Sequence, residues 1–315
     1  MLLPKQGGGN LKIGTIDIPY CDLNQVNSLP FDFIMIVSGT QYTINDYTIS
    51  LNELWRIGIG QNKVLWDVSI CSPGFGENSN IGQNNELNRD KWVIEKLSKL
   101  NEGITLLDAG AGEQKYKKYC KHLQYISQDF NEYDGTGDGK ALQTGEWNTE
   151  NINIVSDIID IPRDDESFDA ILCTEVFEHI PSPELAVKEF SRLLKSSGIL
   201  ILTAPFCSLS HFAPYHYSTG FNKYWYEVIL NKYHFEILEM KTNGNYFEYI
   251  AQEIRRLNFI AAQYNRKNTK YLDRETTQTL LSVLNNMSVA TEGSDELLCF
   301  GYQVLARKKD SIKTF

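Results

Sequence analysis

Gly103 to Tyr116 reads GITLLDAGAGEQKY, and this stretch decides the fold. Ile104, Thr105, Leu106 and Leu107 form a short apolar, partly β-branched run, the pattern of a strand buried on both faces. The run ends in Asp108-Ala-Gly110-Ala-Gly112, after which Glu113 to Cys120 is expected to be a short helix. Strand, glycine turn and helix together bring backbone N–H groups and a carboxylate to the carboxyl edge of a sheet. Open α/β sheets bind their ligands there.

Two cofactor classes use such a turn. A dinucleotide fingerprint needs G-x-G-x-x-G/A, whose third small residue lets the helix approach the strand. Counted from Gly110, that position is Lys115, large and charged. The chain instead carries Asp108 two residues before the first glycine. A carboxylate there repels a pyrophosphate and suits a ligand with a cationic sulfonium and ammonium. The stretch resembles motif I of the class I S-adenosylmethionine-dependent methyltransferases, commonly D/E-x-G-x-G-x-G. In one departure, the third glycine of that pattern is Gln114.

The chain of 315 residues is long enough for one large domain and a smaller one. Its net charge of -10 and pI near 5.1 argue against a non-specific nucleic-acid binder, because phosphates would be repelled. With no eighteen-residue apolar run and no basic-then-apolar leader, a cytoplasmic protein without a membrane partner is expected. The six cysteines form no C-x-x-C pair and no zinc-finger spacing, so neither structural zinc nor a disulfide framework is expected.

Between Leu11 and about Asn85 short β-branched or aromatic runs (KIGTIDI, FDFIMIVSG, YTISL, KVLWDVSI) are punctuated by proline, glycine and asparagine. They predict a β-rich accessory module over residues 1–84, structural, oligomeric or covering a substrate. Asn85 to Leu100 places Leu87, Trp92, Val93, Leu97 and Leu100 at helical spacing. Arg89 on that helix is read as solvated, with a cofactor carboxylate as the alternative. His122 to Phe130 predicts a second strand ending at Asp129, where a carboxylate can accept hydrogen bonds from both ribose hydroxyls. Asn131 to Glu150, with its DGTGDG run, lacks the spacing of a calcium loop and is read as a surface insertion.

Asn151 to Asp157 predicts the third strand. Next comes SFDAILCTEVFEHIPSPELAVKEFSRLLKSSGILILTAPF, Ser167 to Phe206: strand Phe168 to Thr174, amphipathic helix Pro183 to Leu194 stopped by Ser197-Gly198, and buried strand Ile199 to Thr203. This run resembles the methyltransferase type 11 subgroup, over roughly residues 85 to 245 in all. The resemblance implies a cofactor pocket built from Asp108, Gly110, Gly112, Asp129, Phe130, Asp157, Ile158 and Glu175, with Glu175 to His179 as its lip and S-adenosyl-L-methionine as cofactor.

Cys207 to Tyr224, CSLSHFAPYHYSTGFNKY, follows a central strand and is rich in aromatics, as an active-site loop would be. His216, His211 and His179 are the candidate catalytic residues, since a histidine can take the proton of an acceptor hydroxyl. An aromatic lid that only excludes water is the alternative. No ligand cluster stands out in the sequence, so no metal is expected. Asn245 to Asn265 and Tyr271 to Leu284 predict two helices offering a lid or a homodimer face, before a last strand over Leu297 to Lys308.

The expected fold is α/β: a Rossmann-like seven-stranded, mostly parallel sheet with helices on both faces, carried by residues 85–315. By resemblance the activity is methyl transfer from S-adenosylmethionine to a small-molecule acceptor, with a hydroxyl of a sugar or nucleotide-sugar in surface polysaccharide biosynthesis preferred. N- or O-methylation of another metabolite remains open, as does a non-catalytic cofactor-binding protein. A short-chain NAD(P) dehydrogenase is disfavoured by Lys115 and by the lack of a Tyr-x-x-x-Lys motif after the fourth strand.

Overall fold

The structure, a computed structural model, describes residues 80–139, 141–143, 147–264 and 272–310, together with the backbone of four short strands nearer the N-terminus. Those four are β1 (Gly9–Ile13), antiparallel to β2 (Ile16–Tyr20), and β3 (Ile34–Met35), parallel to β4 (Val64–Leu65). The rest of the expected β-rich module lies outside the described residues.

Helix α1 (Asn85–Ser98) precedes the sheet strands β5 (Thr105–Ala109), β6 (Gln124–Asp129), β7 (Ile154–Val155), β8 (Phe168–Thr174) and β9 (Leu194–Pro205). Helix α2 (Pro183–Leu193) links β8 to β9, and α3 (Lys223–Lys232) leads to β10 (Phe235–Asn243). Helices α4 (Tyr246–Tyr264) and α5 (Arg274–Ala290) then precede β11 (Gly301–Lys308). The sheet order is β10-β11-β9-β8-β5-β6-β7. β11 alone runs antiparallel to its neighbours, β9 and β10. The fold is the expected Rossmann-like α/β sheet, mostly parallel, with helices on both faces.

Both faces can be read from the two-residue period of the central strands. Leu106, Ala170, Leu172 and Ile201 pack with Trp92, Val93 and Leu97 of α1. Leu107, Ile171, Leu200 and Leu202 pack on the other side with Val187 and Phe190 of α2 and Tyr226 and Leu230 of α3. Strands covered twice have no polar face, which explains the near-continuous apolar runs. Pro183 starts α2, and the Asn222 side chain caps α3 by accepting the Trp225 N–H at 3.2 Å.

Local differences from expectation have local causes. Residues 113–120 form tight turns and a 3-10 turn, Lys117–Tyr119, rather than an α-helix, because Gln114 takes φ 56° and interrupts the run. Ser197-Gly198 does not end α2. The helix stops at Leu193, and Leu194 already pairs with Phe168, while Ser197 at φ 61° lies within the register break before Ile199 meets Ala170. The third strand shrinks to Ile154–Val155, and α5 runs on to Ala290.

The chain forms two compact units, one of Met1–Gly82 with Ile250–Val289, the other of Gln83–Tyr249 with Ala290–Phe315. In the first, Ile81, Ala251 and Leu281 are buried together. The second holds the seven-stranded sheet. Among the described residues no helix is long and apolar enough to cross a membrane.

Candidate cofactor and active site

The carboxyl ends of β5, β6, β7 and β8 meet around a cavity of ≈ 530 Å³. Its floor is the glycine turn after β5. Gly110 and Ala111 both donate their N–H groups to the Gln128 carbonyl at 2.9 Å, and Gly112 donates to Asp129 Oδ2 at 2.9 Å. Gly110 has φ 72°, and a Cβ there would meet Val176 at 2.5 Å. At Gly112, φ is 49° and the Cβ position is 2.9 Å from Trp147. Both positions therefore need glycine for handedness and for space. Gln114, which stands where the resembled motif has its third glycine, takes φ 56° at a cost in strain, and its amide donates to the Asn151 carbonyl at 3.1 Å.

Gly110, Asp129, Phe130, Asp157, Ile158, Glu175 and His179 all line this cavity. The buried Asp129 carboxylate accepts from Gly112 through Oδ2 and from Asn131 through Oδ1 at 2.9 Å. An ionised carboxylate has about four acceptor sites, so capacity remains for two hydroxyls of a ligand. Asp157 Oδ1 accepts from Ile159 N–H at 3.1 Å, and Ile158 beside it is buried. These groups fit a nucleoside whose ribose meets Asp129 and whose base meets Ile158.

Asp108 is not on the cavity wall. It is buried beneath the turn, accepting from the Tyr125 hydroxyl at 2.5 Å. Burial pushes its carboxyl up to about 7, with Asp129 adding to the rise and the Tyr125 bond opposing it. Gly112 also stands behind the wall, against Trp147.

Arg89 is not a solvated helix-face residue. Its side chain is 17% exposed, and Nη1 lies 3.0 Å from Glu175 Oε2. Burial pulls the guanidinium pKa down, but Glu175, Tyr116 and Asp90 outweigh it and leave the group above its ordinary value. Glu175 leaves β8 with φ 54°, and its Oε1 accepts from the Thr203 hydroxyl at 2.9 Å.

The insertion after β6 is part of the wall rather than a surface loop. Its Tyr133 stacks on Phe212 with centroids 4.5 Å apart, and Trp147 meets Phe212 edge-on at 5.0 Å. Backbone bonds join the two loops: Leu142 accepts from Phe212 N–H at 3.0 Å, and Ala213 from Asp138 N–H at 2.9 Å. Tyr133, Trp147 and Phe212 are pocket residues that the sequence did not single out, although their aromatic character was an available signal. Phe130, Tyr215 and Tyr217 also line the cavity. A second hollow, ≈ 560 Å³, adjoins it and shares Trp147 and Val155.

His211 and His216 are not among the cavity-lining residues. Together with His179 they form a cluster whose candidate ligand nitrogens all lie within 4.8 Å of one another. Sequence spacing offered no such cluster; folding makes one. His179 stacks on Phe212 at 4.7 Å, and its pKa is lowered to about 3 by burial first and by the neighbouring imidazoles, against the bond to the Tyr215 carbonyl. Glu178 is buried beside them, and burial, then Glu175, raise its pKa well above the ordinary value.

Residues 107–202 match the family model described as a methyltransferase domain. No curated protein matches the chain. Similar solved structures include an S-adenosylmethionine-dependent methyltransferase from Archaeoglobus fulgidus, at 16% identity and a TM-score of 0.43, covering 71% of this chain and 94% of that one. The YcgJ protein from Bacillus subtilis is similar at 14% identity and a TM-score of 0.42, covering 71% and 100%. Phosphoethanolamine N-methyltransferase 2 from Haemonchus contortus, solved with S-adenosyl-L-methionine, follows at 15% and 0.38, covering 71% and 53%. Within that segment the chain is similar to a methyltransferase domain.

Proposed function

We propose that this chain is a class I methyltransferase that moves a methyl group from S-adenosyl-L-methionine to a hydroxyl of a small-molecule acceptor, with a sugar or nucleotide-sugar of surface polysaccharide biosynthesis as the acceptor class. The observation that carries the cofactor half is Asp129, a buried carboxylate at the tip of β6, tied to the glycine turn at 2.9 Å and exposed to the cavity. A carboxylate at that edge holds paired hydroxyls in one orientation.

The bound cofactor supplies a sulfonium methyl group already activated for displacement. The work left to the chain is alignment and exclusion of water. Tyr133, Trp147 and Phe212 shield one side of the cavity, and the Arg89–Glu175 pair fixes its lip. The acceptor half rests on Phe130 and Tyr217, 37% and 52% exposed, whose ring faces can stack on a sugar. An aromatic metabolite would use the same faces, and an amine acceptor would need no base. His179, held neutral by burial, also lines the cavity. Four described cysteines are free thiols, in keeping with a cytoplasmic location.

Calorimetric titration with S-adenosylmethionine, S-adenosylhomocysteine and NAD tests the cofactor half. Micromolar binding of the two sulfur compounds and none of NAD supports it; failure of both to bind sinks it. Transfer of isotopic methyl to a panel of nucleotide-sugars, phenols and amines tests the acceptor. Exclusive labelling of phenols or amines would replace the carbohydrate assignment, and binding without any turnover would favour a non-catalytic protein.

A further inference from the structure

Three imidazoles and a buried carboxylate converge behind the cofactor pocket, from two parts of the chain. Glu178 and His179 come from the turn after β8; His211 and His216 come from the loop after β9. The candidate ligand nitrogens lie within 4.8 Å of one another. Three points so spaced share a centre within ~2.8 Å of each, against zinc–nitrogen bonds of about 2.0–2.1 Å, so shifts below ~1 Å per ring complete a coordination sphere.

The hydrogen bonds fix the tautomer of two of the rings. His179 Nδ1 lies 2.6 Å from the Tyr215 carbonyl, and His211 Nδ1 lies 2.7 Å from the Leu209 carbonyl. A carbonyl oxygen only accepts, so each Nδ1 must carry the proton, and in a neutral ring the lone pair then sits on Nε2. Metal-binding histidines are oriented by the same kind of backbone bond. Both Nε2 atoms point toward one carboxylate oxygen, Glu178 Oε1, at 3.7 Å and 3.9 Å. Those distances are too long for hydrogen bonds to that oxygen. Among the described residues Glu178 Oε2 has no hydrogen-bond partner, and neither has either ring nitrogen of His216, although all three atoms are shielded from solvent. Buried polar groups left this way are rare and require an explanation.

One proton can bridge only one pair in such a group. A cation at the centre satisfies all of it at once. We propose that His179, His211 and His216 bind a single divalent transition-metal ion, zinc by preference, with Glu178 as the fourth ligand. Imidazole nitrogen favours zinc, nickel, copper or iron over magnesium or calcium, which take oxygen. Such an ion joins the lip of the cofactor pocket to the loop after β9, reinforcing the Tyr217 N–H bond to the Glu178 carbonyl at 2.8 Å. The site rests on its own ligands and not on the methyl-transfer assignment.

The test uses the full chain prepared without a metal-binding tag, stripped by chelator and titrated with Zn2+ and Co2+. The expected result is one equivalent per chain, with the visible absorption of tetrahedral cobalt. His211→Ala and His216→Ala should each weaken binding at least tenfold, whereas His122→Ala leaves it unchanged. Should the two loop variants fail to fold, diethylpyrocarbonate labelling of the wild-type protein decides. Zinc is then expected to protect His211, the cluster member that reaches solvent, and to leave His122 and His234 reactive. No uptake of either ion below ~100 µM, equal binding by the variants, or uniform labelling with and without zinc overturns the site. Titration of the same samples with S-adenosylmethionine reads the cofactor pocket separately.

Discussion

Arg89 on α1 and Glu175 at the exit of β8 stand 3.0 Å apart, joining the helix before the sheet to the lip of the cofactor pocket. The second carboxylate oxygen accepts from Thr203 on β9 at 2.9 Å. Arg89→Ala leaves this carboxylate without its counter-charge and should cost ~1–3 kcal/mol, less than a fully buried pair because Glu175 is partly wet. The double variant Arg89→Ala/Glu175→Gln should recover part of the loss. Urea unfolding of the three proteins measures both; equal losses would assign Arg89 a packing role only.

Asp129→Ala should weaken S-adenosylmethionine binding at least tenfold, about 1.4 kcal/mol. Asp129→Asn keeps one acceptor for the Gly112 N–H but sets an amide NH2 against the Asn131 N–H, so a modest drop in Tm should accompany the loss of affinity. Calorimetry and thermal melts separate the two effects.

Gly110→Ala should damage the pocket twice, through the clash with Val176 at 2.5 Å and through a φ of 72°. Adding Val176→Ala relieves the clash and leaves the backbone strain, about 1–2 kcal/mol. Cofactor affinity should therefore return in part. A double variant no better than Gly110→Ala would place the whole cost in the backbone.

Asp108 makes stability depend on pH in the direction opposite to a salt-bridged carboxylate. Its folded-state value of about 7 exceeds the ordinary 3.8, so between these values the unfolded chain gives up a proton that the folded chain keeps. The Asp108 contribution thus falls as pH rises from 3.8 to about 7 and is level above. Asp108→Asn should remove that slope and raise Tm most near neutrality, as thermal melts across this range would show. An unchanged slope would mean that Asp108 ionises in the folded protein at its ordinary pKa.

Strand β8 was legible from Phe168 to Thr174 because a doubly covered strand must be apolar throughout, and that demand is local. The same holds for Leu106 and Leu107, whose alternation already assigns them to opposite faces. The position of Asp129 was legible because strand length and turn chemistry set it. Long-range partners were not. Arg89 looks solvated until Glu175, far along the chain, comes to meet it. Asn131 to Glu150 looks like a plain polar loop until Phe212 stacks on Tyr133. Gln114 shows the converse, a residue that breaks the glycine pattern and yet takes a left-handed backbone. Histidines 179, 211 and 216 carry no metal-ligand spacing, because their proximity arises only when two strand ends bring their loops together.

Asn243 and Gly301 are register partners at the end of the β10–β11 ladder. The chain therefore leaves the sheet and re-enters it at facing positions, with α4 and α5 between. Loop closure costs grow only with the logarithm of length, so β10 and β11 can pair almost regardless of how much chain separates them. The hairpin end is a graft point. The chain between β10 and β11 enters and leaves at one end of the ladder, so its helices add length to the protein without interrupting the sheet that carries the cofactor pocket.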